Sequence, residues 1–175
     1  MDIIWAPWRM AYIDGVDVEP ERVEVGEGAD ADCFICQSVF DKSHDRERFV
    51  VCRTELTVTM LNKFPYNNGH LLIAPCIHTG NLGELCEAVQ LQILREIDRW
   101  VKTLEYLMKP DGFNIGLNLG RSAGAGLPGH LHWHIVPRWN GDTNFTTTIS
   151  STKVIPQSLN ALWETLNATV NNRKN

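Results

Sequence analysis

Three histidines, His130, His132 and His134, stand at alternate positions in the run Gly-His-Leu-His-Trp-His-Ile-Val-Pro-Arg, residues 129–138. Imidazole titrates near neutral pH and can serve as nucleophile, proton donor or metal ligand. In an extended strand successive side chains point to opposite faces, so the spacing predicts three imidazoles on one face and Leu131, Trp133 and Ile135 on the other. A helix would scatter them at intervals of about 200°. The apolar face then has a core to pack against and the imidazole face is the open one. Pro137 is expected to end the strand, because it cannot donate to a ladder.

Two further stretches carry chemistry. Cys33-Phe34-Ile35-Cys36 places two thiols where a tight turn can grip one ion, and zinc accepts thiolate and imidazole in a tetrahedron. A redox pair is the alternative, but that arrangement needs a strand ahead of it, and here an acidic loop precedes it. A zinc site needs two more ligands, and the sequence offers His78 and His130. Residues 120–129 hold four glycines, Gly120, Gly124, Gly126 and Gly129, between a predicted strand and the histidines. Glycine lets backbone N–H groups converge on an anion, so Gly124, Ala125 and Gly126 are the candidate phosphate contacts. Asn118 is the candidate polar side chain beside that backbone. Ser122 lies further back.

The run His130-Leu131-His132-Trp133-His134-Ile135-Val136 matches His-φ-His-φ-His-φ-φ, φ being apolar, at every position, and so resembles the histidine triad (HIT) superfamily of nucleotidyl hydrolases and transferases. The longer context looks like the branch containing diadenosine polyphosphate phosphorylases. It comprises Trp5-Ala6-Pro7-Trp8-Arg9, the stretch from Asn62 to His70, and Pro137 to Phe145. The resemblance covers most of the chain; its motif is specific for the superfamily and far less so for the substrate. It implies a HIT-like fold, a homodimer, and a structural zinc on Cys33, Cys36, His78 and His130. It also implies a ribose contact at Asn62, a position often acidic in the family.

For the reaction, His132 is the expected nucleophile. A neutral imidazole whose Nδ1–H is held by a backbone carbonyl presents its Nε2 lone pair to the α-phosphorus of a nucleotide. His134 is expected on phosphate or bridging oxygens, and backbone amides near Gly124 to Gly126 offset charge on the non-bridging oxygens. Nothing in the sequence aims Arg138 or Lys63. Three functions follow. The first is phosphorolysis of diadenosine tetraphosphate to ADP and ATP. The second is hydrolysis of nucleoside phosphoramidates or dinucleoside polyphosphates by the same His132. The third is nucleotide binding or an adaptor role without turnover, which the intact triad argues against.

The elements that must position these groups are legible in outline. Residues 49–53, 56–61, 69–75 and 113–119 read as strands. Leu85, Val89, Ile93, Ile97, Val101 and Leu104 recur at intervals of three or four, predicting an amphipathic helix over 82–108, ended by Pro110. Leu159, Leu162, Trp163, Leu166 and Val170 predict a second helix over 157–171 with Ser158 as N-cap. Residues 2–13 are expected to pack over the core, 14–31 to form an exposed loop, and 146–152 to be irregular or a last short strand. His70 is expected to pack at a strand start without a catalytic part, and Cys52, Cys76 and Cys86 to be buried as small apolar residues. The sum is an α+β fold with a mainly antiparallel sheet in a single domain, 1–175. Its parts are an N-terminal extension and loop (1–31), a catalytic core (32–145) and the C-terminal helix.

Composition sets the outer bounds. The chain has 175 residues, 43% of them hydrophobic and 21% charged, enough for a core of ordinary size. Its net charge of −5 argues against nonspecific binding of nucleic acid. No run approaches the roughly 18 apolar residues of a membrane span, and the start lacks a signal-peptide pattern, so a cytoplasmic protein without membrane partners is expected. Five cysteines, an odd count, agree with the absence of a disulfide framework.

Overall fold

In the computed structural model of the chain, residues 2–5, 24–143 and 152–172 are described. The strands are β1 (Asp2–Trp5), β2 (Val50–Arg53), β3 (Thr57–Leu61), β4 (Leu71–Pro75), β5 (Gly112–Leu117), β6 (Trp133–Arg138) and β7 (Thr152–Ile155). The helices are α1 (Phe34–Phe40), α2 (Glu87–Met108) and α3 (Leu159–Asn172). Strands β2 to β6 form one antiparallel sheet in the order β2-β3-β4-β6-β5, and β1 pairs in parallel with β7 in a separate ribbon. The sheet is therefore antiparallel, as the alternating patterns require, with α2 as the crossover from β4 to β5. The α+β class stands.

Period-two alternation accounts for the two cores. On β4, Leu71 and Ile73 join Ile93, Trp100 and Leu104 of α2 and Leu162 and Leu166 of α3. Leu72 and Ala74 point the other way, to Ile35 and Cys36 of α1. With both faces covered, β3 and β4 are buried along their whole length. Leu131, Trp133 and Ile135 pack with the first cluster, as their alternation predicts. His134, paired across from Leu72, lies on the second face with α1.

Several boundaries differ from the sequence reading, each for a local reason. The helix expected from Leu82 is interrupted: a 3-10 turn at Leu82–Glu84, capped by Asn81 Oδ1, precedes α2, which starts at Glu87. It ends where Lys109 turns left-handed at φ 47° and donates its N–H to Glu105, with Pro110 blocking continuation. The seven-residue α1, too short to show a helical period, was not anticipated; Cys33 is its N-cap. His130, Leu131 and His132 lie ahead of β6, and Pro137 sits inside that strand. Pairing with β4 stops at Ile135, so no β4 carbonyl requires the proline's missing N–H.

Of the cysteines expected to be buried, Cys52 is, Cys76 is half-buried, and Cys86 is exposed at the N-cap of α2. The C-terminal helix starts as expected, with Ser158 Oγ accepting from the Ala161 N–H, and Trp163 Nε1–H ties it to the Val50 carbonyl. From residue 24 the expected acidic loop is exposed or half-buried. The packing expected of residues 2–13 and the form of 146–152 lie outside the described residues, apart from β1 and the start of β7. No helix among the described residues is long and apolar enough to cross a membrane.

Candidate active site and metal centre

The three triad histidines occupy three different environments. His130 is fully buried, and its Nε2–H donates to the Pro75 carbonyl at 2.9 Å. That bond leaves its Nδ1 lone pair facing Cys33 Sγ at 3.3 Å and Cys36 Sγ at 3.6 Å. His78 Nδ1 lies 3.2 Å from Cys36 Sγ, and the four ligand atoms of Cys33, Cys36, His78 and His130 all lie within 4.8 Å of one another. The two histidines are held side by side by close backbone contact. The Leu131 N–H donates to Thr79 O at 2.7 Å, and a Cβ on Gly80 would stand 2.5 Å from the Pro128 carbonyl. Only glycine fits there.

Two sulfurs and two imidazole nitrogens with one ring already oriented through its other nitrogen form the donor set zinc prefers. Burial pushes the Cys33 thiol up to about 12, against the opposing pull of the Cys36 N–H that it accepts. A divalent cation reverses that balance, because a coordinated thiol gives up its proton. The residues present fit the metal.

His132, also buried, places Nδ1 2.8 Å from the His130 carbonyl. A carbonyl only accepts, so Nδ1 carries the proton and Nε2 keeps the lone pair. The same peptide thus joins the sulfur–imidazole cluster to the neighbouring imidazole. His134 Nδ1 lies 2.9 Å from His70 Nε2. His70 Nδ1 in turn receives the Tyr66 N–H at 3.0 Å and lies 3.2 Å from the Asn62 amide nitrogen. His70 Nδ1 is therefore the acceptor, its Nε2–H donates to His134 Nδ1, and the neutral His134 carries its proton on Nε2. That buried nitrogen has no partner among the described residues. Burial, together with the neighbouring imidazoles, pulls His70 down to about 3 and His134 to about 4, so both rings are neutral at pH 7. The rings of His132 and His134 stand 5.2 Å apart. A lone pair and a ring N–H are thereby presented side by side.

Both face a cleft of about 490 Å³ whose apolar wall includes Met60, Leu61, Leu72 and Leu127. The imidazole face expected to be open is enclosed: α1 covers one end and the glycine loop the other. Asn62, Gly124 and Gly126 line the cleft with His132 and His134. Ala125 is buried, and Asn118, which does not line the cleft, lies with its amide 3.8 Å from where a Cβ on Gly124 would stand. Gly124 adopts φ 90°, and its N–H and that of Ala125 are taken by the carbonyls of Arg121 and Gly120. The Gly126 amide is not used in those turns. Asn62 Oδ1 accepts the Phe64 N–H at 2.9 Å, which fixes the start of the β3–β4 connection.

Sequence reasoning missed His70, which couples to His134 across 64 residues, and the clamp that holds its loop. Asn67 Nδ2 donates to the Pro137 carbonyl at 3.0 Å and to Asp142 at 2.8 Å. Asp142 also accepts from Arg138 Nε at 2.6 Å and Nη2 at 3.0 Å, so Arg138 is committed away from the cleft. Lys63 lines it. Gly69, at φ 78° in the left-handed region that favours glycine, sets the entry into His70. The only prior sign was that these residues fall within the two segments beside the triad that resemble the phosphorylase branch.

An antiparallel five-stranded sheet with histidines at alternate positions, two of them facing a cleft beside a glycine-rich loop, is the arrangement of a histidine triad protein. The HIT domain model matches residues 43–141, and the chain belongs to that family. It is similar to an AP-4-A phosphorylase of Mycobacterium tuberculosis, 38% identical over 156 residues that span 89% of this chain and 77% of that one. An adenosine 5′-monophosphoramidase of Schizosaccharomyces pombe is 25% identical over 138 residues, 79% of this chain and 98% of its own. Among solved structures, a Zn-bound histidine triad family protein from Mycobacterium smegmatis shares the fold with a TM-score of 0.59, 24% identity, and coverage of 72% of this chain and 86% of that one.

Proposed function

We infer that this protein transfers nucleotidyl groups from dinucleoside polyphosphates, and that its reaction is phosphorolysis of diadenosine tetraphosphate to ADP and ATP. The observation that carries the reading is the bond from His132 Nδ1 to the His130 carbonyl, which leaves Nε2 as a nucleophile in the cleft. Nε2 attacks the α-phosphorus; the N–P bond forms as the bridging P–O bond breaks, and the electron pair leaves on ATP. His134 Nε2–H donates to the bridging or non-bridging oxygen as its charge grows, and the Gly126 amide supplies a second donor. An oxygen of inorganic phosphate then attacks the same phosphorus, the N–P bond breaks, and ADP departs. Asn62 and the apolar wall hold the transferred nucleoside.

Cys33, Cys36, His78 and His130 would hold zinc, whose four protein ligands make it structural and leave the chemistry to the histidines. The same reading carries a cytoplasmic homodimer. The exposed edge strand β5, with Ile115, and the exposed Leu91 and Leu94 of α2 are the surfaces such a dimer would use.

The test is product analysis with diadenosine tetraphosphate and zinc-replete protein, with and without inorganic phosphate. ADP plus ATP formed only with phosphate is the expected result. AMP plus ATP without it would make water the acceptor and the protein a hydrolase.

A further inference from the structure

The β3–β4 connection carries two large aromatic rings into solvent beside the histidines. Phe64 is 74% exposed and Tyr66 52%, yet both line the cleft that contains His132 and His134. The loop beneath them is tied down. The Phe64 N–H is held by Asn62, the Tyr66 N–H by His70, and Asn67 by Pro137 and Asp142, with Pro65 buried between the rings. Exposed apolar surface fixed on a rigid backbone at the mouth of a cleft has no part in the core and is suited to a ligand. The Tyr66 ring lies at 19° to that of His134, with centroids 5.7 Å apart, so the flat surface begins on the histidine expected to meet the leaving oxygens.

The cleft thus offers two unlike places for a flat ring. Its deep wall, with Met60, Leu61 and Leu72, is at most 4% exposed and suits the nucleoside that stays on His132. The rim beside His134 is aromatic and open. A dinucleoside polyphosphate carries a second base on the far side of its phosphates, whereas an amine leaving group has nothing to stack. We propose that Phe64 and Tyr66 form a rim subsite that stacks the nucleobase of the leaving moiety. This rests on the nucleotidyl-transfer reading above and gives it a basis for preferring substrates with a nucleoside at each end.

The test compares diadenosine tetraphosphate with adenosine 5′-tetraphosphate, which has the same phosphates but no second nucleoside, by calorimetric binding to His132→Asn protein, where turnover is blocked. The dinucleotide should bind about tenfold more tightly, within what base–aromatic stacking supports. Phe64→Ala should erase that advantage without changing affinity for the mononucleotide, and Phe64→Tyr should keep it. Equal affinity for the two ligands in the parent protein would overturn the subsite, as would a Phe64→Ala variant that weakens both alike, which would assign the ring to the transferred nucleoside. A parent protein that binds neither ligand would instead overturn the nucleotidyl-transfer reading on which the subsite rests.

Discussion

At His132 and His134 the hydrogen-bond partners, more than the ring spacing, decide which nitrogen does what. The His130 carbonyl leaves His132 with its lone pair on Nε2, and the chain Tyr66 N–H to His70 to His134 leaves His134 with its proton on Nε2. The second assignment depends on His70 staying neutral. Burial holds it at about 3 in the folded protein, against about 6.5 when unfolded. Below pH 6.5 the unfolded chain binds a proton that folded His70 refuses. Stability is therefore full above that pH and is lost as pH falls toward 3, by up to about 1.4 kcal/mol per pH unit from this ring. Melting temperature measured from pH 7.5 to 4.5 should fall more steeply for the wild type than for His70→Asn. Parallel slopes would mean that His70 is not held neutral by its site.

At the scale of elements, the glycine loop, α1 and the β3–β4 connection each bring one wall to the triad. Cys33 both caps α1 and lies in the sulfur–imidazole cluster, so the metal would join that helix to the strand through His130. Cys33→Ser should reduce bound zinc from one equivalent toward none and lower the melting temperature by at least about 5 °C. Unchanged zinc content by atomic absorption would refute the assignment. How far the sequence reached is clearest here. The alternation in β6 and the long stripe in α2 were readable because period and burial are local. The pairing of His70 with His134, and of Asn67 with Asp142, was not, since each joins residues 64 or more positions apart. Helix α1 was missed because seven residues hold too few turns to show a period, and the strand expected to begin with His130 starts at Trp133, the residues before it being bonded to the Thr79 and Pro75 carbonyls instead.

For the whole molecule, the sheet's two cores have separate tasks. The face toward α2 and α3 packs the larger apolar cluster, while the face toward α1 carries the sulfur–imidazole cluster, the cleft, His132 and His134. The histidine triad structure from Mycobacterium smegmatis shares this fold, and specificity within a shared fold is set by the loops around the cleft. The central claim is that the nucleotide passes through His132. It is tested most directly by intact-protein and peptide mass spectrometry of zinc-replete enzyme mixed with diadenosine tetraphosphate in the absence of phosphate and quenched at alkaline pH. One adenylyl group on His132, discharged as ADP when phosphate is added and absent in His132→Asn, is the expected result. An enzyme that turns over with no adduct, or with the adduct on another residue, would contradict it.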